Sequence, residues 1–241
     1  MRFAILSDIH GNLEALTAVL ERVAPGDRVL CLGDIVGYGP NPNECLALVR
    51  ERATSTVLGN HDVGAVDGHG LAYFNPAARA AIDWTARVLD PDHVAWLDAQ
   101  SYEVRADDYL LVHGAPVEYF TYILDKPGAA KAFSDTDAPL IFVGHTHIAE
   151  YYSLDPSGAI GHAHCQSGGR VELEPGIRYL LNVGSVGQPR DLNPDASFAF
   201  YDSEARTIVW ERVPYAIGRT QEKIGAAHLP EALALRLTVG R

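Results

Sequence analysis

The chain lacks the features of membrane-spanning and disulfide-stabilised proteins. It has only three cysteines, Cys31, Cys45 and Cys165, and no CxxC pair. An odd number of cysteines without that spacing gives no disulfide framework and fits a reducing compartment. No apolar run approaches the roughly 18 residues needed to cross a bilayer, and the apolar start meets Asp8 too early for a signal peptide. These absences predict a cytoplasmic protein with no membrane partner.

Basic residues are also scarce. The 19 Lys and Arg stand against 31 Asp and Glu, for a formal net charge of -12 at pH 7. Because no Lys/Arg stripe exists to release counterions, contact with extended nucleic acid is disfavoured. The 10 histidines among many carboxylates would instead suit a divalent cation. A chain of 241 residues can bury a sizeable core, so we expect one domain over residues 1–241 and leave an oligomer open.

The organisation along the chain predicts an α/β fold. The first sixty residues alternate short apolar runs with helical patterns, as in successive βαβ units. Leu13, Leu16, Leu20 and Val23 repeat at helical spacing after Asn12, a good N-cap. We expect a helical excursion after residue 62, and beyond residue 149 short strands separated by turn residues.

Polar residues suited to metal binding follow five of the predicted strands. They are Asp8 with His10, Asp34, Asn60 with His61 and Asp62, His113, and His145 with His147. Since the carboxyl ends of strands line the ligand crevice of open α/β sheets, we expect these side chains to converge. Gly33, Gly59 and Gly144 directly precede members of this set, where the backbone turns sharply or approaches an ion closely.

Aspartate, histidine and one asparagine amide form a ligand set of intermediate hardness. It suits Mn, Fe, Zn, Co or Ni better than a thiolate-loving metal or an all-oxygen calcium site. The set is too large for one tetrahedral ion, whereas two ions about 3.5–4 Å apart that share a carboxylate would use all of it. Each piece alone is typical of a polar turn. Their joint occurrence at strand ends favours a metal centre.

A second histidine-rich stretch, "GHAHC", contains His162, His164 and Cys165 but follows no predicted strand. We expect a surface hairpin there rather than a ligand site. His69, His93 and His228 are interpreted as ordinary surface or helix histidines.

The chain resembles the calcineurin-like metallophosphoesterase superfamily. The motifs that carry the resemblance are "SDIHGN", "LGDIVGYGP", "LGNHD", "VHGAP" and "GHTH", and "NVGSVGQPRD" extends it to residue 191. The resemblance implies a four-layer α/β/β/α sandwich with two mixed β-sheets. It also implies hydrolysis of small phosphodiesters or phosphomonoesters, with nucleotide-like compounds among the candidate substrates.

The same resemblance implies two divalent transition-metal ions that share Asp34. One ion would be held by Asp8, His10, Asp34 and His147. The other would be held by Asp34, Asn60, His113 and His145. His61 would be the proton donor or oxyanion stabiliser, while a hydroxide that bridges the ions attacks phosphorus.

The second motif departs from that of the protein Ser/Thr phosphatases in this superfamily, which carry "GDxVDRG" where this chain has "GDIVGYG". Gly37 replaces an aspartate that supports the catalytic histidine, and Tyr38 replaces a phosphate-binding arginine. Asp62 stands where those enzymes have glutamate. These departures disfavour a protein phosphatase and are closer to small bacterial and archaeal phosphodiesterases.

Substrate-binding residues follow from the same comparison. With the second-motif arginine absent, Arg190 is a candidate donor to the phosphate oxygens, because a guanidinium can bind them bidentately. The alternative is a solvated Arg190 paired with Asp191. Tyr38 is the second candidate substrate-binding residue.

Two other functions fit the same motifs. A binding scaffold on this fold, as the retromer subunit of the superfamily is, would be expected to lack some of the metal ligands, and this chain has all of them. A nuclease would need a basic groove, which the composition does not supply. We therefore favour the enzyme.

Overall fold

The computed structural model describes residues 1–241 and contains strands, α-helices and two short 3-10 turns. The strands are β1 (Arg2–Leu6), β2 (Arg28–Cys31), β3 (Ala53–Thr56), β4 (Glu103–Arg105), β5 (Tyr109–Val112), β6 (Leu140–Val143), β7 (Ala149–Leu154), β8 (Ile160–His164), β9 (Gly169–Glu172), β10 (Arg178–Val183), β11 (Ala196–Asp202) and β12 (Thr207–Val213). The helices are α1 (Leu13–Leu20), α2 (Pro42–Arg52), α3 (Asn60–Asp67), α4 (Pro76–Val88), α5 (Pro91–Asp98), α6 (Lys126–Asp135), α7 (Ile217–Ala226) and α8 (Glu231–Leu235). The 3-10 turns are Leu71–Tyr73 and Arg236–Thr238.

The strands form two mixed sheets, as predicted. The first has the order β3-β2-β1-β11-β12-β9, in which β1, β2 and β3 are parallel and the other pairs antiparallel. The second has the order β4-β5-β6-β10-β7-β8, in which β5, β6 and β10 are parallel. The parallel part of each sheet carries the strand ends at which ligands were predicted.

Separate apolar clusters on the two faces of each sheet produce the predicted α/β/β/α layers. Along β1, Ala4 and Leu6 belong to the cluster beneath α1 and α2, while Phe3 and Ile5 belong to the cluster between the sheets. Because successive side chains of a strand point to opposite faces, a strand buried on both faces has the continuous apolar run seen here. On the far side, Phe133 of α6 packs in a third cluster against the second sheet.

The helical excursion is present but begins at Asn60 rather than after residue 62. Asp62, the third residue of α3, accepts a hydrogen bond from the Gly59 amide at 3.1 Å, which closes the first turn. Helices α4 and α5 follow, and each begins at a proline directly after its N-cap residue, Asn75 or Asp90.

The C-terminal helices pack where the sequence did not indicate. Ala78 and Ala81 of α4 share a cluster with Tyr38, Ile224 and Leu233, so α7 and α8 cover the second motif. We propose on this ground that residues 1–241 form one domain.

The hairpin predicted around "GHAHC" is present, and His162 and His164 lie within its second strand, β8. β8 pairs antiparallel with β7, and His164 is the last residue of β8, so the expectation that this histidine is not at a strand end is wrong. The sequence concealed this strand because an edge strand with one exposed face has no continuous apolar run.

The three cysteines are buried and free. The reducing compartment stays a prediction, with which free thiols are compatible. None of the helices combines the length and apolarity needed to span a bilayer.

Candidate metal centre

The predicted ligand side chains meet at one end of the two sheets. Asp8 and Asp34 follow β1 and β2 of the first sheet, whereas His113 and His145 follow β5 and β6 of the second. His113 Nε2 lies 3.3 Å from Asp34 Oδ2, so the contact joins the two sheets. The carboxyl ends of parallel strands from both sheets therefore form one buried site.

The ligand atoms form two neighbouring groups. One contains Asp8, His10 and His147, and the other contains Asp34, His113 and His145. Asp34 Oδ2 lies 3.6 Å from His10 Nε2 and 3.3 Å from His113 Nε2. Asp34 is thus between the groups, where a carboxylate shared by two ions would be.

The four imidazoles of these groups are oriented by backbone carbonyl oxygens. Those oxygens lie 3.1, 2.8 and 2.6 Å from the Nδ1 atoms of His10, His113 and His147. For His145, the carbonyl oxygen of Phe120 lies 2.9 Å from the Nε2 atom instead. In a neutral imidazole, an N–H that donates to a carbonyl leaves the other ring nitrogen with a lone pair available to a metal ion, as in metal-ligating histidines.

Two oxygen atoms of the site are buried without a hydrogen-bond partner, Asp8 Oδ1 and Asn60 Oδ1. Leaving a buried acceptor unpaired is unfavourable by about 1–3 kcal/mol, and a cation bound beside each oxygen would satisfy it. Carboxylates, imidazoles and an amide oxygen are also the donors that first-row divalent ions bind. The residues present therefore fit divalent metal ions.

Burial and the carboxylates together set the protonation of the imidazoles. Burial lowers the pKa of His61 to about 4, against the opposing attraction of Asp34. Burial and the nearby His113 lower the pKa of His145 to about 3. Burial also acts on His113, but Asp34 outweighs it and raises the pKa of His113 to about 9. For Asp34, burial is outweighed by His113 and His61, which hold its carboxyl pKa well below the ordinary value, so this carboxylate stays ionised.

His61 is held by ring packing. Its ring centroid lies 4.4 Å from that of Tyr38 and 4.7 Å from those of His10 and Phe74. Its Nδ1 is buried without a partner, and a Cβ atom on Gly37 would lie 2.3 Å from it. A supporting carboxylate at position 37 therefore has no room with the ring in this place, and aromatic contacts fix the imidazole instead.

His61 also lies within reach of the candidate ligands. A ring nitrogen of His61 is within 4.8 Å of ligand atoms of His10 and Asp34, and its amide donates to Asp34 Oδ1 at 2.8 Å. Both a proton donor and an additional ligand fit this position. The predicted role of proton donor stays a prediction.

Asp62 has a structural task that sequence reasoning did not assign to it. Its Oδ1 accepts hydrogen bonds from the amides of Ile35 and Val36 at 2.9 and 3.1 Å, while its Oδ2 accepts from Gly59. One carboxylate thereby joins the loop after β2 to the start of α3. The signal that indicates this role is the carboxylate three residues after the glycine that caps α3.

Arg190 and Tyr38 are neighbours. Arg190 Nη2 donates to the Tyr38 hydroxyl at 3.3 Å and to Gln188 Oε1 at 2.9 Å, and the guanidinium carbon lies 5.7 Å from the centre of the Tyr38 ring. Asp191 pairs with the buried Arg212 instead. The alternative in which Arg190 pairs with Asp191 is therefore wrong, while substrate binding by Arg190 and Tyr38 stays a prediction.

Backbone strain is concentrated in the site. Six of its residues have positive φ, a conformation unfavourable for L-residues by about 1–2 kcal/mol each: Asp8 (54°), His10 (51°), Asp34 (52°), Tyr38 (59°), His145 (65°) and His147 (61°). Such strain persists only where the surrounding structure enforces it, and it clusters at functional sites.

A cleft of about 800 Å³ opens beside the ligand groups, with Asn60, His61 and His145 in its wall. Aromatic side chains form much of the rest: Tyr38, Tyr73, Phe74, Tyr119, Phe120 and Tyr122. Tyr122 stacks on His145 at 4.0 Å and 13°, whereas Tyr73 is 94% exposed. Sequence reasoning missed this wall because most of its residues come from the excursion and from residues 118–122, outside the motifs.

Glycines allow the strand-end loops to lie against the carboxylates. A Cβ atom on Gly144 would lie 1.9 Å from Ser7 Oγ and 2.4 Å from Asp8 Oδ2, and one on Gly59 would lie 2.0 Å from Asp34 Oδ1. The close approach expected at these two positions is confirmed.

The substitution Gly144→Ala should therefore lower the free energy of unfolding by about 1–3 kcal/mol, the usual effect of overpacking, because Ser7 and Asp8 must move. Urea denaturation followed by circular dichroism measures it. The control is Gly225→Ala in α7, where a Cβ atom meets no heavy atom within 4 Å. That change should be neutral or stabilising by up to about 1 kcal/mol. Equal midpoints for the two variants would contradict the role of Gly144.

Comparisons with known proteins agree with this architecture. The family model described as the calcineurin-like phosphoesterase superfamily domain matches residues 1–206. An uncharacterised protein of Methanocaldococcus jannaschii is 38% identical over 247 residues, which cover 99% of this chain and 98% of that protein. The crystal structure of a metallophosphoesterase from Sphaerobacter thermophilus has a TM-score of 0.91 and 40% identity, with 100% of both chains covered.

This chain is also similar, over part of its length, to an enzyme whose name states its substrate. A symmetrical bis(5'-nucleosyl)-tetraphosphatase of Stutzerimonas stutzeri is 48% identical over 127 residues, which cover 47% of this chain and 44% of that enzyme. The family match, in contrast, covers most of the chain. The chain therefore belongs to the calcineurin-like phosphoesterase superfamily and is a phosphoesterase.

Proposed function

We propose that this phosphoesterase uses two divalent transition-metal ions to hydrolyse small, nucleotide-like phosphate esters. The position of Asp34 supports the proposal most. Its Oδ2 lies 3.6 Å from His10 Nε2 and 3.3 Å from His113 Nε2, between ligand groups supplied by the two sheets. A binding scaffold would not need this full set of converging ligands.

The proposed ligands follow the two groups. One ion is assigned to Asp8, His10, Asp34 and His147, and the other to Asp34, Asn60, His113 and His145. Bound there, such ions would lower the pKa of water and neutralise phosphoryl oxygens. The protein fixes the geometry: the His145 amide donates to Asp8 Oδ2 at 2.9 Å, which ties the loop after β6 to the loop after β1.

Chelation should abolish hydrolysis of an aryl phosphodiester, and Mn²⁺, Fe²⁺, Zn²⁺, Co²⁺ or Ni²⁺ should restore it. Asp34→Asn should lower the metal content of both sites, because it removes the charge they share; elemental analysis after dialysis measures this. The control is Asp83→Asn, which changes an exposed carboxylate on α4. Full activity of metal-free Asp34→Asn protein would exclude the proposed centre.

We further propose that His61 donates a hydrogen bond or a proton to the departing oxygen. It lies in the wall of the cleft next to Asn60, and its buried ring is fixed by Tyr38 and Phe74. A side chain with a fixed orientation beside the reacting group is what general acid catalysis requires.

His61→Asn should keep the metal content near that of the wild type while kcat falls about 10²–10⁴-fold. The deficit should shrink with a nitrophenolate leaving group, because that anion departs without a proton. Steady-state kinetics with nitrophenyl and alkyl esters, together with metal analysis, test both statements. Loss of metal from the variant would instead make His61 a ligand, as its proximity to His10 and Asp34 allows.

Substrate recognition is proposed to combine a cation and an aromatic wall. Arg190 would bind phosphate oxygens, and Tyr38, whose hydroxyl accepts its hydrogen bond, would hold the guanidinium in place and contact the substrate. Tyr73 exposes its ring at the cleft and would stack on a nucleobase. The partial similarity to a bis(5'-nucleosyl)-tetraphosphatase supports a nucleotide-like substrate.

Two variants separate these contributions. Arg190→Lys should lower kcat/KM about 10–150-fold for every phosphate ester, because a charged bidentate contact is lost.

Tyr73→Ala should raise KM roughly 5–150-fold for a dinucleoside polyphosphate, the range expected for one lost stacking contact, and leave nitrophenyl phosphate kinetics unchanged. Tyr73 is preferable to Tyr122 here because Tyr122 stacks on the proposed ligand His145. Unchanged kinetics of both variants on both substrates would refute this recognition scheme.

A further inference from the structure

A third set of ligand-type side chains lies away from the active site, on strands β7 and β8. Glu150 of β7 is directly opposite His164 of β8, and His162 is two residues earlier on β8. Residues opposite each other and two apart share one face of a sheet. Glu150 Oε2 lies 2.8 Å from His162 Nε2 and 3.3 Å from His164 Nδ1.

We propose that Glu150, His162 and His164 bind one divalent transition-metal ion, such as Zn²⁺, in addition to the ions of the active site. With Zn–N bonds of about 2.0–2.1 Å, neighbouring ligands of a tetrahedral ion lie about 3.3 Å apart. The separation of Glu150 from His164 has this value, the separation from His162 is shorter at 2.8 Å, and all three ligand atoms lie within 4.8 Å of one another. Two imidazoles and one carboxylate leave a fourth position for water.

The charge of Glu150 supports a cation at this place. Its side chain is only 4% exposed, and its ion-pair partners are the two histidines. The remaining hydrogen bond comes from the Tyr152 hydroxyl at 3.5 Å. No lysine or arginine pairs with Glu150, so the two histidines are the only side chains that can offset its buried charge. A divalent ion would compensate it.

The site is also preorganised and accessible. The His162 ring stacks on Tyr152 at 4.4 Å and 10°, and Tyr152 is 1% exposed, so the imidazole orientation is fixed from below. His164 is 64% exposed, which lets an ion enter from solvent. Because β8 is the edge strand of its sheet, an ion there would fasten the edge to β7 and stabilise the folded chain.

Metal analysis of wild type and His164→Ala tests the site. After dialysis against micromolar Zn²⁺, the wild type should retain about one ion per chain more than the variant, as expected when one of three ligands is removed. The difference does not depend on how many ions the active site holds, and hydrolysis should be unchanged because His164 lies outside that site. His93→Ala controls for loss of a histidine and should retain the wild-type content.

Glu150→Gln provides a second variant, which keeps the side-chain shape and removes the charge. Circular dichroism first verifies its fold, and it should also lose about one ion. The rise in Tm on adding Zn²⁺ should be smaller in His164→Ala than in the wild type, because part of the stabilising binding is gone. Equal zinc content and equal Tm shifts in wild type and His164→Ala would overturn the proposal, whatever the result with Glu150→Gln.

Discussion

The burial of Asp8 and Asp34 at the ends of neighbouring parallel strands is the constraint on which this structure depends. Two ionised carboxylates in a site closed to water repel each other and lose their hydration, so they persist only with positive charge or strong donors around them. The imidazole of His113, whose pKa Asp34 raises to about 9, supplies positive charge, and the backbone amides of His61 and His145 donate to Asp34 and Asp8. His113 and His145 come from the second sheet. The two sheets therefore have to present their strand ends at the same edge, which sets the arrangement of the layers.

This arrangement requires unusual backbone conformations at the strand ends. Side chains such as Asp34 and His147 reach the centre only from turns with positive φ, and glycines at 59 and 144 let neighbouring loops touch the carboxylates. Hydrogen bonds then hold these turns, with Asp62 joining two loops of the first sheet and the His145 amide binding Asp8 across the sheets. Six of the ten non-glycine residues with positive φ therefore lie in this one centre.

The residues proposed for chemistry and those proposed for recognition come from different parts of the chain. The candidate ligands lie on strand-end loops fixed by two packed sheets, whereas most of the aromatic wall of the cleft comes from the excursion and from residues 118–122. Loops on a rigid scaffold can change composition without disturbing the centre, so substrate choice is expected to reside in them. The cluster of Glu150, His162 and His164 differs from the main centre in position and in exposure. Its residues lie within strands, and His164 is exposed to solvent.

The sequence by itself determined the α/β class and the strands that precede the candidate ligands, because apolar runs and the residues that end them are local signals. It also indicated the close approach of the backbone at Gly59 and Gly144, because both glycines directly precede candidate ligands. Only the tertiary structure decided which residues surround His61, how α7 and α8 cover Tyr38, and that Asp191 pairs with Arg212 rather than Arg190. The pairing of Glu150 with His162 and His164 was equally hidden. Each of these contacts joins segments distant in sequence or set in register by strand pairing, and local periodicity carries no record of such contacts.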